Sequence, residues 1–111
     1  MRFRAAAAVA AAVLSLVVPA TALAAEGSFE YRFGYPGGPS WESELTDPAS
    51  AECLDIPEVL GNEDAWAFRP RNHTDATATV FKDGGCSGEH YSLRPGAKAS
   101  DRLMIRSVVF S

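Results

Sequence analysis

The mature-looking part of the chain alternates apolar and polar positions with a period of two. Phe29, Tyr31, Phe33 and Tyr35 are separated by Glu30, Arg32 and Gly34, so all four aromatics fall on one face of an extended strand. Pro36-Gly37-Gly38-Pro39 then forces a turn. Ser40 to Leu45 is the expected return strand, with Trp41, Ser43 and Leu45 on one side and Glu42 and Glu44 on the other. A second turn at Thr46 to Ser50 leads to a short strand, Glu52 to Ile56, stopped by Pro57. The stretch Ile56 to Asp64 has room for one helical turn. Ala65 to Phe68 is short and apolar, and Arg69 to His73 reads as a break at Pro70. Thr77 to Phe81 is rich in β-branched residues. Asp83-Gly84-Gly85 turns it into Glu89 to Leu93, and Pro95-Gly96 turns again. Leu103 to Phe110 closes the chain, with a change of phase near Ser107 that predicts a bulge or bend. Seven short strands without a sustained helical period predict a small all-β sandwich or barrel, one domain over residues 25–111.

The first residues follow another pattern. Arg2 and Arg4 precede an apolar run from Ala5 to Val18 that is interrupted only by Ser15. Such a run falls short of the ~20 residues a membrane-spanning helix needs. Pro19 and Thr21 follow it, and Ala22-Leu23-Ala24 supplies the small-x-small site of a secretory signal. Residues 1–24 are therefore expected to be a cleaved export signal, with cleavage after Ala25 as the alternative. A secreted, extracellular location follows, with no membrane attachment once the signal is removed.

Composition narrows the partners. The whole chain has ten basic and fourteen acidic residues, and removing Arg2 and Arg4 leaves a net charge of −6. That balance disfavours nucleic acid and anionic membranes. The charge is divided along the chain. Residues 25–64 hold ten carboxylates and a single base, Arg32, whereas residues 65–111 hold seven bases and four carboxylates. Two cysteines, Cys53 and Cys86, follow the signal. In an oxidising compartment they are expected to pair, since neither belongs to a C-x-x-C motif or to a cluster of metal-ligating residues.

The chain offers little for catalysis. His73 and His90 lie far apart in sequence, and no nucleophile elbow, phosphate loop or histidine pair accompanies them. Glu42 and Glu44 share a strand face and are read as solvated. Asn72-His73-Thr74 fits an N-glycosylation pattern, and it equally fits a turn in which the Asn side chain caps its own backbone. The expectation is a protein that is not an enzyme and carries no cofactor.

The segment from Thr79 to Tyr91 is more specific. Phe81 ends a strand, a tight turn carries Cys86, Gly88 lies seven positions after Phe81, and Tyr91 follows three later. This resembles the Greek-key motif of βγ-crystallins, with Cys86 at the place of the usual second aromatic and Ser107 at the place of the serine that packs back over the folded hairpin. Cys86-Ser87-Gly88, Pro95-Gly96 and Arg106-Ser107-Val108 are also similar to elements of the Streptomyces metalloproteinase-inhibitor family of secreted proteins. The resemblance covers residues 77–111. It implies a Greek-key sandwich, and at family level it implies inhibition of an extracellular protease. Residues 29–56 carry no copy of the motif, and the paired Asp/Asn signature of crystallin calcium sites is missing. Three functions follow as expectations: a secreted binding module that engages an extracellular protein such as a protease, a structural or envelope protein without a tight ligand, and a small toxin or antimicrobial factor. For the first, the loop framed by Tyr35 and Trp41, with Gly37 and Gly38 at its tip, is the candidate binding element.

Overall fold

The structure is a computed structural model that describes residues 24–111; the expected signal, Ala22 included, lies outside the described residues except for Ala24. It is all-β. The strands are β1 (Gly27–Gly34), β2 (Ser40–Thr46), β3 (Leu54–Asp55), β4 (Trp66–Thr74), β5 (Ala78–Asp83), β6 (Ser87–Leu93), β7 (Met104–Ile105) and β8 (Ser107–Phe110). A single 3-10 turn, Pro57–Val59, supplies the expected helical turn. Among the described residues there are eight strands rather than seven because the closing segment divides at Arg106. β7 lies in one sheet and β8 in the other, so the phase change near Ser107 is the crossing point between sheets.

Both sheets are antiparallel and have four strands. Read from their long outer edges, their orders are β2-β1-β4-β7 and β6-β5-β8-β3. The two orders are the same. Within each half of the chain the first two strands form a hairpin and the fourth pairs with the first. The third crosses to complete the other half's sheet. This is a Greek-key sandwich in which the halves exchange their third strands.

The core lies between the sheets. Phe29 and Tyr31 of β1 are buried as the alternation requires. Phe29 meets Phe110 of β8 edge to face, with centroids 5.4 Å apart, and so joins the sheets. Ala67, Val80, Leu93, Ile105 and Val108 fill the space around them, and Ile56 and Val59 close one end. Each fully buried large side chain here contributes roughly 1.5–3 kcal/mol. Phe33 is only partly buried. Tyr35 leaves the aromatic face altogether and is 45% exposed, because β1 ends at Gly34 and Tyr35 begins the turn.

The expected break at Arg69 to His73 is instead the middle and end of a nine-residue strand. β4 passes Pro70 by bulging. Arg32 pairs with Phe68 and Glu30 with Arg71, so Arg69 and Pro70 together face the one residue Tyr31. Arg69 takes φ 52°, and Pro70, which has no N–H, sits where the ladder needs no donor. Asn72 is fully buried rather than at a surface turn, so it is closed to glycosylation. The self-capping does occur: its Oδ1 accepts from the N–H of Thr74 at 3.1 Å and from the Thr74 hydroxyl at 2.7 Å. Its Nδ2 donates to the carbonyls of Ala76 and Leu93 at 2.8 and 2.9 Å. One side chain thereby ties β4 to the start of β5 and the end of β6.

Cys53 and Cys86 are joined by a disulfide. The bond runs from the residue before β3 to the β5–β6 turn. With its ends 33 positions apart in sequence it stabilises by roughly 3–4 kcal/mol in the chain-entropy account. Cys86→Ser is expected to lower the melting temperature by more than about 10 °C, followed by circular dichroism. An unchanged melt would contradict this role. Asn72→Ala strands two buried carbonyls, and it should cost about 3 kcal/mol in urea unfolding.

Candidate functional site

The two hairpins face solvent over the outer surfaces of their sheets, and they are held differently. In the second half Ser107, the first residue of β8, lies beneath the β5–β6 turn and is fully buried. Its hydroxyl donates to the carbonyl of Asp83 and accepts from the N–H of Cys86 at 2.9 Å. Asp55 of β3 accepts from the N–H of Gly85 at 2.8 Å. Cys86 takes φ 56°, a conformation an L residue adopts only when its surroundings impose it; here Ser107 and the disulfide impose it. Gly88 takes φ 84°, which disfavours any residue with a Cβ, and a Cβ there would also press on the Asp83 carboxylate. Phe81 pairs with Ser107, and its ring lies 5.6 Å from that of His90. Phe81, Gly88 and Ser107 thus gather at one hairpin. Tyr91 does not join them; it pairs with Val80 and is 55% exposed on the opposite face of β6.

In the first half the position that opens the fourth strand is Trp66. An indole cannot make the two hydrogen bonds of the Ser107 hydroxyl, so the β1–β2 hairpin is not drawn down onto its sheet. It is organised from within. The N–H of Gly38 donates to the carbonyl of Tyr35 at 2.8 Å, with Pro36 and Gly37 between them and Gly37 at φ 77°. This is a type II turn, which needs Gly at its third position and favours Pro at its second. The Tyr35 hydroxyl accepts from Asn62 Nδ2 at 3.0 Å and anchors the loop to its neighbour. Arg106 lies 4.2 Å above the Trp66 ring and donates to the carbonyls of Val59, Asn62 and Glu63. Between loop and sheet is a cleft of about 300 Å³ lined by Tyr35, Pro36, Gly37, Trp66, Phe68 and Met104. Asp101 stands at its rim. Two hydrogen bonds from Arg69, at 2.6 and 3.0 Å, hold the Asp101 carboxyl below its usual range.

The structure therefore places Tyr35, Gly37 and Gly38 at one cleft and Trp41 elsewhere. Trp41 is one residue beyond Ser40 of the cleft and points to the other face of β2, 52% exposed, with its ring 5.8 Å from Phe33. Trp66, Phe68 and Met104 were not singled out in the sequence. Trp66 and Phe68 are two apart, the spacing of one strand face, which is the signal that could have found them. His73 lies 3.7 Å from Glu30, while the His90 ring is tilted against that of Phe81. Among the described residues no cluster of three or more His, Cys, Asp or Glu side chains is placed to hold a metal ion. Glu42 is exposed and pairs with Arg32 at 2.9 Å.

One carboxylate is set apart from the rest. Glu58, on the 3-10 turn, accepts from the Tyr31 hydroxyl at 2.6 Å and from the Ser43 hydroxyl. Burial opposes its charge, but the hydrogen bonds from Ser43 and Tyr31 prevail and hold its carboxyl below the usual value. Burial, then the bond to Glu58, pushes the Tyr31 hydroxyl up. The arrangement locks the turn to β1 and β2. No protein-family model, curated protein or solved structure matches the chain.

Because the folded carboxyl of Glu58 titrates below the unfolded one, its contribution is present above the unfolded value of about 4.3 and is lost as pH falls through the folded value. Glu58→Gln should be less stable than the parent at neutral pH and should lose less on acidification. Melts between about pH 7 and pH 3 would show the two curves converging. Parallel curves would rule the linkage out.

Proposed function

We propose that this chain is an exported binding module that presents the β1–β2 hairpin, with the aromatic cleft behind it, to an extracellular protein, in the first instance a secreted protease. The observation that carries the reading is the loop itself. Tyr35 to Pro39 projects from a disulfide-braced sandwich, yet its turn is closed by its own hydrogen bond and tied to Asn62. A loop ordered before binding avoids the cost of ordering on binding, about 0.5–1.5 kcal/mol for each side chain immobilised. Tyr35, Trp66 and Phe68 provide the aromatic area that dominates protein–protein binding energy.

The resemblance to βγ-crystallin-type Greek keys and to the secreted metalloproteinase inhibitors adds support. The strand order repeats between the halves, although residues 29–56 carry no copy of the motif, and Ser107 bonds to the hairpin in the manner the resemblance implies. The described sandwich begins beside the expected cut. Ala24 bridges to Ala49, and Ala25, next after the expected cut, is buried with its nitrogen 2.8 Å from the carbonyl of Pro48. Among the described residues no helix is long and apolar enough to cross a membrane. The disulfide suits an oxidising compartment.

The experiment is titration of the mature protein against a panel of secreted metalloproteases and serine proteases. Saturable inhibition that Tyr35→Ala weakens by about tenfold or more is expected, the effect of losing about 1.4 kcal/mol of binding energy. An absence of inhibition at micromolar protein across the panel would sink the proposal.

A further inference from the structure

Of the four sheet edges, β3 and β7 are two residues long and only β2 and β6 are long enough to receive another strand. β2 carries the charges that guard an edge, Glu42 and Glu44. β6, Ser87–Leu93, is exposed at every residue but Leu93, and its outer side has no strand partner among the described residues. Beside it, between β6 and the segment leading into β7, runs an open groove of about 860 Å³. Val80, Leu103, Met104 and Ile105 form its apolar lining, and Tyr91 stands along it.

The surroundings of this groove are cationic on a protein that is acidic overall. Lys82 and Arg102 line it. Arg102 also lines a second cleft of about 450 Å³ together with Arg69, Arg71 and Lys98. Lys82, Lys98 and Arg102 form no ion pair among the described residues. Arg71 reaches Glu30 at 3.3 Å, but its Nε is shielded from water and has no acceptor. The carboxylates that line the groove and the cleft are Glu89 of β6 and Asp101, already held by Arg69; Glu30 lies against Arg71, and Asp83 lies beside Gly88.

We infer that the free edge of β6, the groove and the adjoining basic cleft form a docking site for an extended acidic polypeptide segment of another protein, one that alternates carboxylate and apolar side chains. Each part of the site selects for one property of that segment. An unpaired strand edge is satisfied by another peptide backbone, which a polyphosphate or a glycan lacks. The apolar lining calls for apolar side chains. Guanidinium groups match carboxylates with paired hydrogen bonds. In an extended strand, alternate side chains fall on opposite faces, so one run of residues can meet both demands. The inference is independent of the hairpin reading: Tyr35 lines neither the groove nor the basic cleft, and the hairpin cleft shares only Met104 with the first and Asp101 with the second.

The test uses the mature protein and a labelled, capped octapeptide alternating Glu and Leu, followed by fluorescence anisotropy, with amide shifts of β6 read by NMR. Saturable binding tighter than about 1 mM is expected, weakening as salt is raised. Octaglutamate, tripolyphosphate and the Lys-for-Glu peptide should each bind at least about tenfold more weakly, because each lacks at least one required property. Arg102→Glu with Lys98→Glu, both exposed and without an ion pair among the described residues, should reduce affinity about tenfold or more at a melting temperature no lower than the parent's, and Tyr35→Ala should leave the affinity unaltered. Any of the following overturns the inference: no saturable binding; tripolyphosphate or octaglutamate binding as well as the alternating peptide; indifference to the double charge reversal; no shifts in β6; or self-association that the same reversal abolishes, which would make a second copy the occupant.

Discussion

The third strand of each half has only two residues, and it must hold its place in a sheet built by the other half. Fixing each residue costs about 1–2 kcal/mol of backbone entropy, and a two-residue ladder offers little in return. Both crossings are secured by something other than the ladder. β3 is fastened by the Cys53–Cys86 bond, by Asp55 reaching the N–H of Gly85, and by the burial of Ile56 just after it. β7 has no covalent tie. Arg106, directly after it, donates to three carbonyls of the segment between β3 and β4 and lies over Trp66. One crossing is fixed by a disulfide and the other by a guanidinium, and both fastenings connect the two halves of the chain.

The difference between the halves then follows from one position. Ser107 and Trp66 each open the fourth strand of their half. A buried hydroxyl with a donor and an acceptor can close a hairpin onto its sheet, and Ser107 does so. A large indole holds the space open, and the cleft under Tyr35 to Gly38 is the result. The first hairpin is therefore shaped by Pro36 and Gly37 within the loop, whereas the second depends on residues remote in sequence. The open cleft thus lies in the half whose hairpin is not closed onto its sheet.

Much of the architecture was legible in the chain. Alternation marked β1 and β2, β-branched residues marked β5, the turn after it marked β6, and the change of phase near Ser107 marked the crossing between sheets. The cysteine pairing needed only that there be two. Ser107 was found through the motif it completes. Other features depend on information that a local pattern does not contain. Pro70 reads as a breaker unless β4 is known to bulge there, opposite Tyr31 of its partner strand. Asn72 reads as surface because its burial is decided by Ala76 and Leu93, which arrive from other strands. The cleft was half legible: the loop was visible as turn chemistry, but whether Trp66 faces in or out depends on which side of β4 carries Ala67 to the core. Glu58 gave no signal, since its partners Tyr31 and Ser43 come from two strands on the far side of a turn.

The uneven charge along the sequence also acquires a structural meaning. Acidic residues 25–64 and basic residues 65–111 do not simply pack face to face. β4 carries Arg71 into the acidic half's own sheet, where it pairs with Glu30. The third-strand exchange then draws the lead-in to β7 across that same sheet, where Lys98 bridges to Arg71 and Asp101 meets Arg69. Two basic segments that lie far apart in sequence are thereby placed side by side, with more cations than the carboxylates beside them can neutralise. Like charges brought together raise the free energy of the folded state, by an amount that salt reduces. The topology that completes the sandwich thus also concentrates positive charge beside its least guarded edge, and an acidic strand arriving there would relieve that repulsion as it pairs.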